Sequence, residues 1–141
     1  MIVSDYHIKR YGWRFRVYYA VTTYWAREIM EDLASIGCHG RQLMRAKSSL
    51  LSGDLNTGIT YSNLDKRESV MVISLTSSPE EFLNSWEHEK KHFARHIERA
   101  FGIDPYGEEA AYLEGTIAQK MFPVARKFLC ECCKKELLCG T

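Results

Sequence analysis

The chain has 141 residues, 45% of them hydrophobic and 26% charged, which sets the expectation of one globular domain with a single real core, and the strands and helices its sequence predicts make the class α+β. Nineteen Lys and Arg stand against eighteen Asp and Glu, and a net charge of +1 gives no electrostatic case for nucleic acid or for a membrane surface. No apolar run approaches the ~20 residues a bilayer span requires; Asp5, His7, Lys9, Arg10, Arg14 and Arg16 interrupt what a signal peptide would keep apolar, so a cytoplasmic protein is expected.

Taken in chain order, Tyr6 to Arg10 and Trp13 to Val21 are rich in aromatic and β-branched residues and flank Tyr11-Gly12, a turn signal. They predict an N-terminal β-hairpin. Tyr24 to Ile36 reads as a helix ended by Gly37, and Arg41 to Leu51 as a second helix stopped by Gly53. Leu55 to Asn63 holds a short strand candidate, Gly58-Ile59-Thr60-Tyr61, and the dense apolar run Glu68 to Thr76 is the clearest strand in the chain. Ser78, Pro79 and Glu81 then give a capping-box start to a helix running to about Phe101 and ending at Gly102. A loop, Ile103 to Gly107, leads to a last helix from Glu108 to about Leu129, with Pro123 placed to kink or break it. No repeat or linker divides the chain, so residues 1–129 read as one domain and 130–141 as a cysteine-rich tail.

The long helix carries His88-Glu89-Lys90-Lys91-His92. Residues four apart on a helix stack one turn above another, so His88 and His92 can reach one ion. Glu89, one step round, then faces the attacking water rather than the metal. At ~100° per residue Phe82, Trp86, Phe93, Ile97 and Ala100 form the expected core arc. His88, His92 and His96 form a stripe beside that arc, Glu89 lies on its edge, and Asn84, Glu87, Lys91 and Glu98 are expected in solvent. Lys90 projects near the core and must carry its ammonium outward along its stem. The bare pentapeptide recurs by chance in unrelated chains. Its position mid-helix, after an apolar strand and across the core boundary, is what points to zinc.

Catalytic zinc takes three protein ligands and leaves one position open. Residue 98 is Glu, which excludes the class with a third histidine six residues after the second. Glu108 shares a helical face with Ala111, Tyr112, Gly115, Ala118 and Phe122, and small residues there would permit close approach to the first helix. Glu108 is therefore favoured, with Glu109 second. A tight antiparallel helix pair would instead bring Glu114 level with the histidines, and His96 is the all-histidine alternative. Acidic residues are also favoured in the first turn of any helix, whatever their function.

Glu68 to Phe122 resembles the zincin superfamily in its glutamate-ligand, gluzincin-like branch. The resemblance rests on His88-Glu89-Lys90-Lys91-His92 followed by Glu108-x-x-Ala111-Tyr112, similar to the E-x-x-A-[D/N] element of small phage- and mobile-element-associated metallopeptidases. It implies a small zincin-like domain: a β-hairpin, a short mixed sheet, the motif helix and a C-terminal helix. It further implies zinc on His88, His92 and Glu108, Glu89 as general base, and a peptide or protein substrate paired along the strand Glu68 to Thr76. Tyr112 departs from the pattern, standing where an Asp or Asn orients a histidine ligand. Tyr106, Tyr112 and His96 are the candidates for stabilising the oxyanion.

Cys130, Cys132, Cys133 and Cys139 lack the paired C-x2-C spacing of a zinc site and read as a reduced tail, with a second zinc as the alternative. Cys38 reads as a small apolar residue. Two other classes stand beside the narrow-specificity metallopeptidase. One is a non-catalytic zincin-like interaction or structural module; the other is a thiol-based zinc or redox module built on the tail.

Overall fold

A computed structural model describes residues 2–53 and 55–130. Strands β1 (Ile2–Ile8) and β2 (Trp13–Val21) pair antiparallel, from Ile2 opposite Tyr19 to Ile8 opposite Trp13. The hairpin is the expected one, but its first strand starts earlier and hands Lys9–Tyr11 to a 3-10 turn. Gly12 closes that turn at φ +59°, a conformation glycine adopts without steric cost.

Helices α1 (Ala26–Ser35) and α2 (Gly40–Ser52) follow, then strands β3 (Gly58–Asn63) and β4 (Glu68–Ser74). Helix α3 (Pro79–Phe101) begins as the sequence requires: the Ser78 side chain accepts the Glu81 backbone N–H, and Pro79 occupies the first turn. The Glu81 carboxylate reaches back to the backbone and hydroxyl of Ser77. Helix α4 (Glu108–Ala125) ends four residues before the expected Leu129. Pro123 sits in its last turn, where its missing N–H weakens the ladder, and Arg126–Phe128 tighten into a 3-10 turn.

The sheet order is β1-β2-β4-β3, with β2 and β4 parallel and the other pairs antiparallel. The fold is thus α+β, a four-stranded mixed sheet with four helices. Trp13, Phe15, Val17, Met71 and Ile73 pack one face of the sheet against α3 and α4. Tyr18, Val70 and Val72 pack the other face against α1 and α2. A register shift between Tyr18 and Val21, with Ala20 at φ +58°, moves Val21 from the first face to the second. No helix among the described residues is long and apolar enough to cross a membrane.

Three expectations are corrected here. Strand β4 has no free edge to offer a peptide: β2 and β3 occupy both its edges, and the free edge on this side of the sheet belongs to β3. Its continuous apolar run is that of an interior strand buried on both faces. Glu98 is not in solvent but 4% exposed, because α4 packs along that side of α3 and buries Ala94 with it. Phe82, Trp86, Phe93 and Ile97 form the core arc as expected, whereas Ala100, in the last turn, is exposed.

Candidate metal centre

His88, Glu89 and His92 lie near the middle of α3, where the helix crosses β3. The Nε2 atoms of His88 and His92 stand 3.2 Å apart. Two nitrogens on one tetrahedral zinc, each ~2.0–2.1 Å from it, are separated by about 3.3 Å. The imidazole pair therefore fits one shared zinc. Without an ion, the same distance suits an N–H of one ring donating to the lone pair of the other. Both rings are exposed, so a ligand can approach them from solvent.

Glu89 differs from its neighbours. It is 2% exposed, and each carboxylate oxygen accepts one hydroxyl, from Thr57 just before β3 and from Thr60 within it. Thr57 Oγ1 donates to Oε2 at 2.7 Å and Thr60 Oγ1 to Oε1 at 2.8 Å. Burying a carboxylate costs several kcal/mol unless it is hydrogen-bonded, and these two donors offset that cost while fixing its rotamer (about 1.5–3 kcal/mol for each bond to a charged group). Between them, Gly58 lets the backbone come close. A Cβ there would stand 1.9 Å from the Val72 carbonyl oxygen and 3.1 Å from Glu89 Cγ, at φ +147°. Gly58→Ala is expected to lose ~2–4 kcal/mol of stability by urea denaturation, since it breaks both strand pairing and a special backbone conformation. A loss under ~0.5 kcal/mol, the range of an ordinary surface change, would show that this approach is not required.

The histidine pair divides two hollows. One, of about 500 Å³, is lined by His88, Glu89 and His92, by Thr57 to Thr60, and by one side of α2. The other, of about 450 Å³, carries the same histidines with Lys91 and Glu114. Lys90 behaves as expected: its Nζ lies 4.8 Å from the Trp86 ring centroid and 2.8 Å from Glu87.

His96 is engaged elsewhere. Trp13 Nε1 donates to Ser69 Oγ at 2.8 Å, Ser69 and Ser62 hydroxyls are 2.6 Å apart, and Ser62 Oγ is 2.6 Å from His96 Nδ1. The direction that uses each hydroxyl hydrogen once ends with Ser62 donating to Nδ1, which leaves the proton on His96 Nε2. That tautomer has no free nitrogen for a metal. Burial first, then the nearby His92 and Arg99, hold the His96 pKa below its ordinary value. The unfolded chain, with an ordinary His near ~6.5, thus binds this proton more readily. Stability from His96 is present above that value and is lost as pH falls towards the folded-state pKa. His96→Gln is expected to flatten the acid-side loss in denaturation midpoints between about pH 7.5 and pH 5.5; an unchanged slope would assign the loss to other groups.

The structure places the remaining candidates as follows. Glu109 accepts from Tyr11 OH at 3.0 Å and pairs with Arg10 at 3.4 Å, against the β1–β2 turn. Glu108 is exposed in the first turn of α4. The face assigned to it is the solvent face: Tyr112 is 72% and Phe122 51% exposed, and a Cβ at Gly115 would meet nothing within 4 Å. The face that packs on α3 and the sheet is Ala110, Leu113, Ile117 and Met121. Antiparallel packing sets Glu114 beside Lys91, Oε1 to Nζ 2.6 Å, and so level with the histidines. Glu108 lies six residues earlier, ~9 Å along the axis. Among the described residues no group of three or more His, Cys, Asp or Glu side chains converges as a metal cage. Tyr106 and Tyr112 are exposed and line neither hollow. Cys38 is buried as expected, and burial raises its thiol pKa. Cys130 is exposed, and Cys132, Cys133 and Cys139 lie outside the described residues.

Thr57 and Thr60, the two donors to Glu89, are residues of the candidate site that the sequence reading missed. The signal was the alternation in β3: Gly58, Thr60 and Ser62 are small or polar while Ile59 and Tyr61 are apolar. A strand with a hydrophilic inward face must meet a polar partner. Comparison with protein-family models, with curated proteins and with solved structures finds no match to this chain.

Proposed function

We propose that the chain is a zinc-dependent hydrolase, a metallopeptidase of narrow specificity acting on a peptide or protein. The observation that carries this reading is the pairing of two imidazole nitrogens at 3.2 Å with a buried, hydrogen-bonded carboxylate one residue away on the same helix. His88 and His92 would hold the ion. When bound, zinc would polarise a substrate carbonyl and lower the pKa of water towards ~7. Glu89 takes the proton from the attacking water and passes it to the leaving amine nitrogen. Thr57 and Thr60 hold its carboxylate in place for both transfers. The free edge of β3 offers a place for an extended substrate beside the site.

For the third protein ligand, the resemblance implies Glu108, whereas the packing of α4 favours Glu114. The Lys91–Glu114 pair is partly exposed, at 55% and 32%, and a pair of that kind contributes only ~0–1 kcal/mol, so it is readily exchanged for a metal bond. Glu114→Gln is expected to weaken zinc binding more than Glu108→Gln in competition with a chelator. The reverse ranking would return the third position to Glu108.

A second reading, a non-catalytic zincin-like module, is favoured by one observation: the two hydroxyl bonds to Glu89 also tie β3 to α3. Zinc content and peptide-library hydrolysis in the wild type and in Glu89→Gln separate the two. A chain that holds zinc and cleaves only with Glu89 present is the hydrolase. A chain that holds no zinc is not.

A further inference from the structure

We infer that Arg45 recognises a carboxylate on whatever occupies the hollow beside Glu89; calling that occupant a substrate rests on the hydrolase reading. Gln42, Arg45, Ala46 and Ser49 are spaced i, i+3, i+4 and i+7 on α2, so they form one stripe, and that stripe is the wall of the hollow that also holds His88, Glu89 and His92. Ala46 is 7% exposed and anchors the stripe in the core, while Arg45 and Gln42 stand in the open. Arg45 is the one Lys or Arg among the described residues lining this hollow. Its guanidinium makes no ion pair or hydrogen bond with any described residue.

The carboxylate in the same hollow does not neutralise it. Both Glu89 oxygens are engaged by Thr57 and Thr60. What remains on the wall is rich in donors: the guanidinium fork, the Gln42 and Asn56 amides and the Ser49 hydroxyl. A carboxylate accepts two parallel N–H bonds from such a fork, a geometry that lysine or a neutral wall does not offer. The carboxylate has two possible sources in a peptide, an Asp or Glu side chain or the C-terminus.

Three short peptides of one sequence distinguish them. The first is blocked at both ends with a central Glu, the second is blocked with Gln in that place, and the third has Gln and a free C-terminus. Binding is measured by calorimetry at low salt, with chelator present, on the full chain, on Arg45→Gln and on Lys47→Gln. The blocked Glu peptide or the free-C-terminus peptide should bind ~10-fold or more tightly than the blocked Gln peptide, the scale of one charge-assisted bidentate contact. Arg45→Gln, an exposed change on an amphipathic helix, should erase that preference, and a far-ultraviolet spectrum confirms its fold. Lys47→Gln, which removes an exposed cation of the same helix outside the hollow, should keep the preference, and because the chelator keeps zinc out of the measurement, failure of the zinc reading leaves this result standing. Equal binding of all three peptides, no binding up to millimolar concentration, or a preference that survives Arg45→Gln would each overturn the inference.

Discussion

Replacing His88 or His92 with alanine is expected to abolish zinc binding and leave the fold intact. The wild-type chain should carry about one zinc, measured by elemental analysis after gel filtration, and the double variant none. The reason lies in the placement of the two rings. They are exposed, meet each other at 3.2 Å, and no hydrogen bond to any other described residue depends on them. Truncating an exposed side chain of this kind changes stability by no more than about 0.5 kcal/mol, so melting of the zinc-free variants should match that of the zinc-free wild type. In the proposed reading the two nitrogens, one helical turn apart, share the ion, and the remaining imidazole alone should not hold it against a chelator. Full zinc occupancy in the double variant would end the hypothesis for this site.

The reach of the sequence can be judged from particular elements. Helix α3 was legible end to end, because Ser78, Pro79, Glu81 and Gly102 are local signals that need no tertiary context. The hairpin and both short helices were legible for the same reason. Strand β1 was not legible before Tyr6, since only alternate residues of Ile2–Ile8 are covered and its exposed face is Val3, Asp5 and His7. The facing of α4 was misread for a physical reason: Ala110, Ala111, Tyr112, Leu113, Ile117, Ala118, Met121 and Phe122 spread apolar surface nearly all round the helix, so periodicity selects no single face. Small residues suggested close approach, but the large ones at four-residue spacing, Leu113, Ile117 and Met121, are those the core took. Burial of Glu98 follows from the same helix, and no residue near Glu98 announces it. The approach of His88 to His92 and the place of Glu89 on the core side of the helix were readable from spacing alone. The two threonine donors were not, because they depend on which strand lies over the helix, a matter of topology.

Glu89→Gln should separate chemistry from metal binding. Glutamine keeps the length and shape of the side chain and retains one carbonyl oxygen. Thr60 or Thr57 can still donate to that oxygen, while the other hydroxyl turns to accept from the new amide, so neither partner is stranded in a buried place. Zinc affinity should change little, because in the proposed reading Glu89, held by Thr57 and Thr60, serves as the base while His88 and His92 hold the ion. Hydrolysis, in contrast, should fall by ~100-fold or more, the usual consequence of losing a general base, since an amide cannot take a proton from water at neutral pH. Glu89→Ala is the uninformative change: it would take from Thr57 its carboxylate partner, leave a void and lose stability for that reason alone. The readout that matters is therefore the ratio of activity lost to zinc lost in Glu89→Gln, with stability held level. A non-catalytic module, with or without zinc, would cleave nothing before or after the change. An enzyme whose wild-type cleavage survived Glu89→Gln undiminished would need its base elsewhere, and the buried carboxylate would then serve only to fasten β3 to α3.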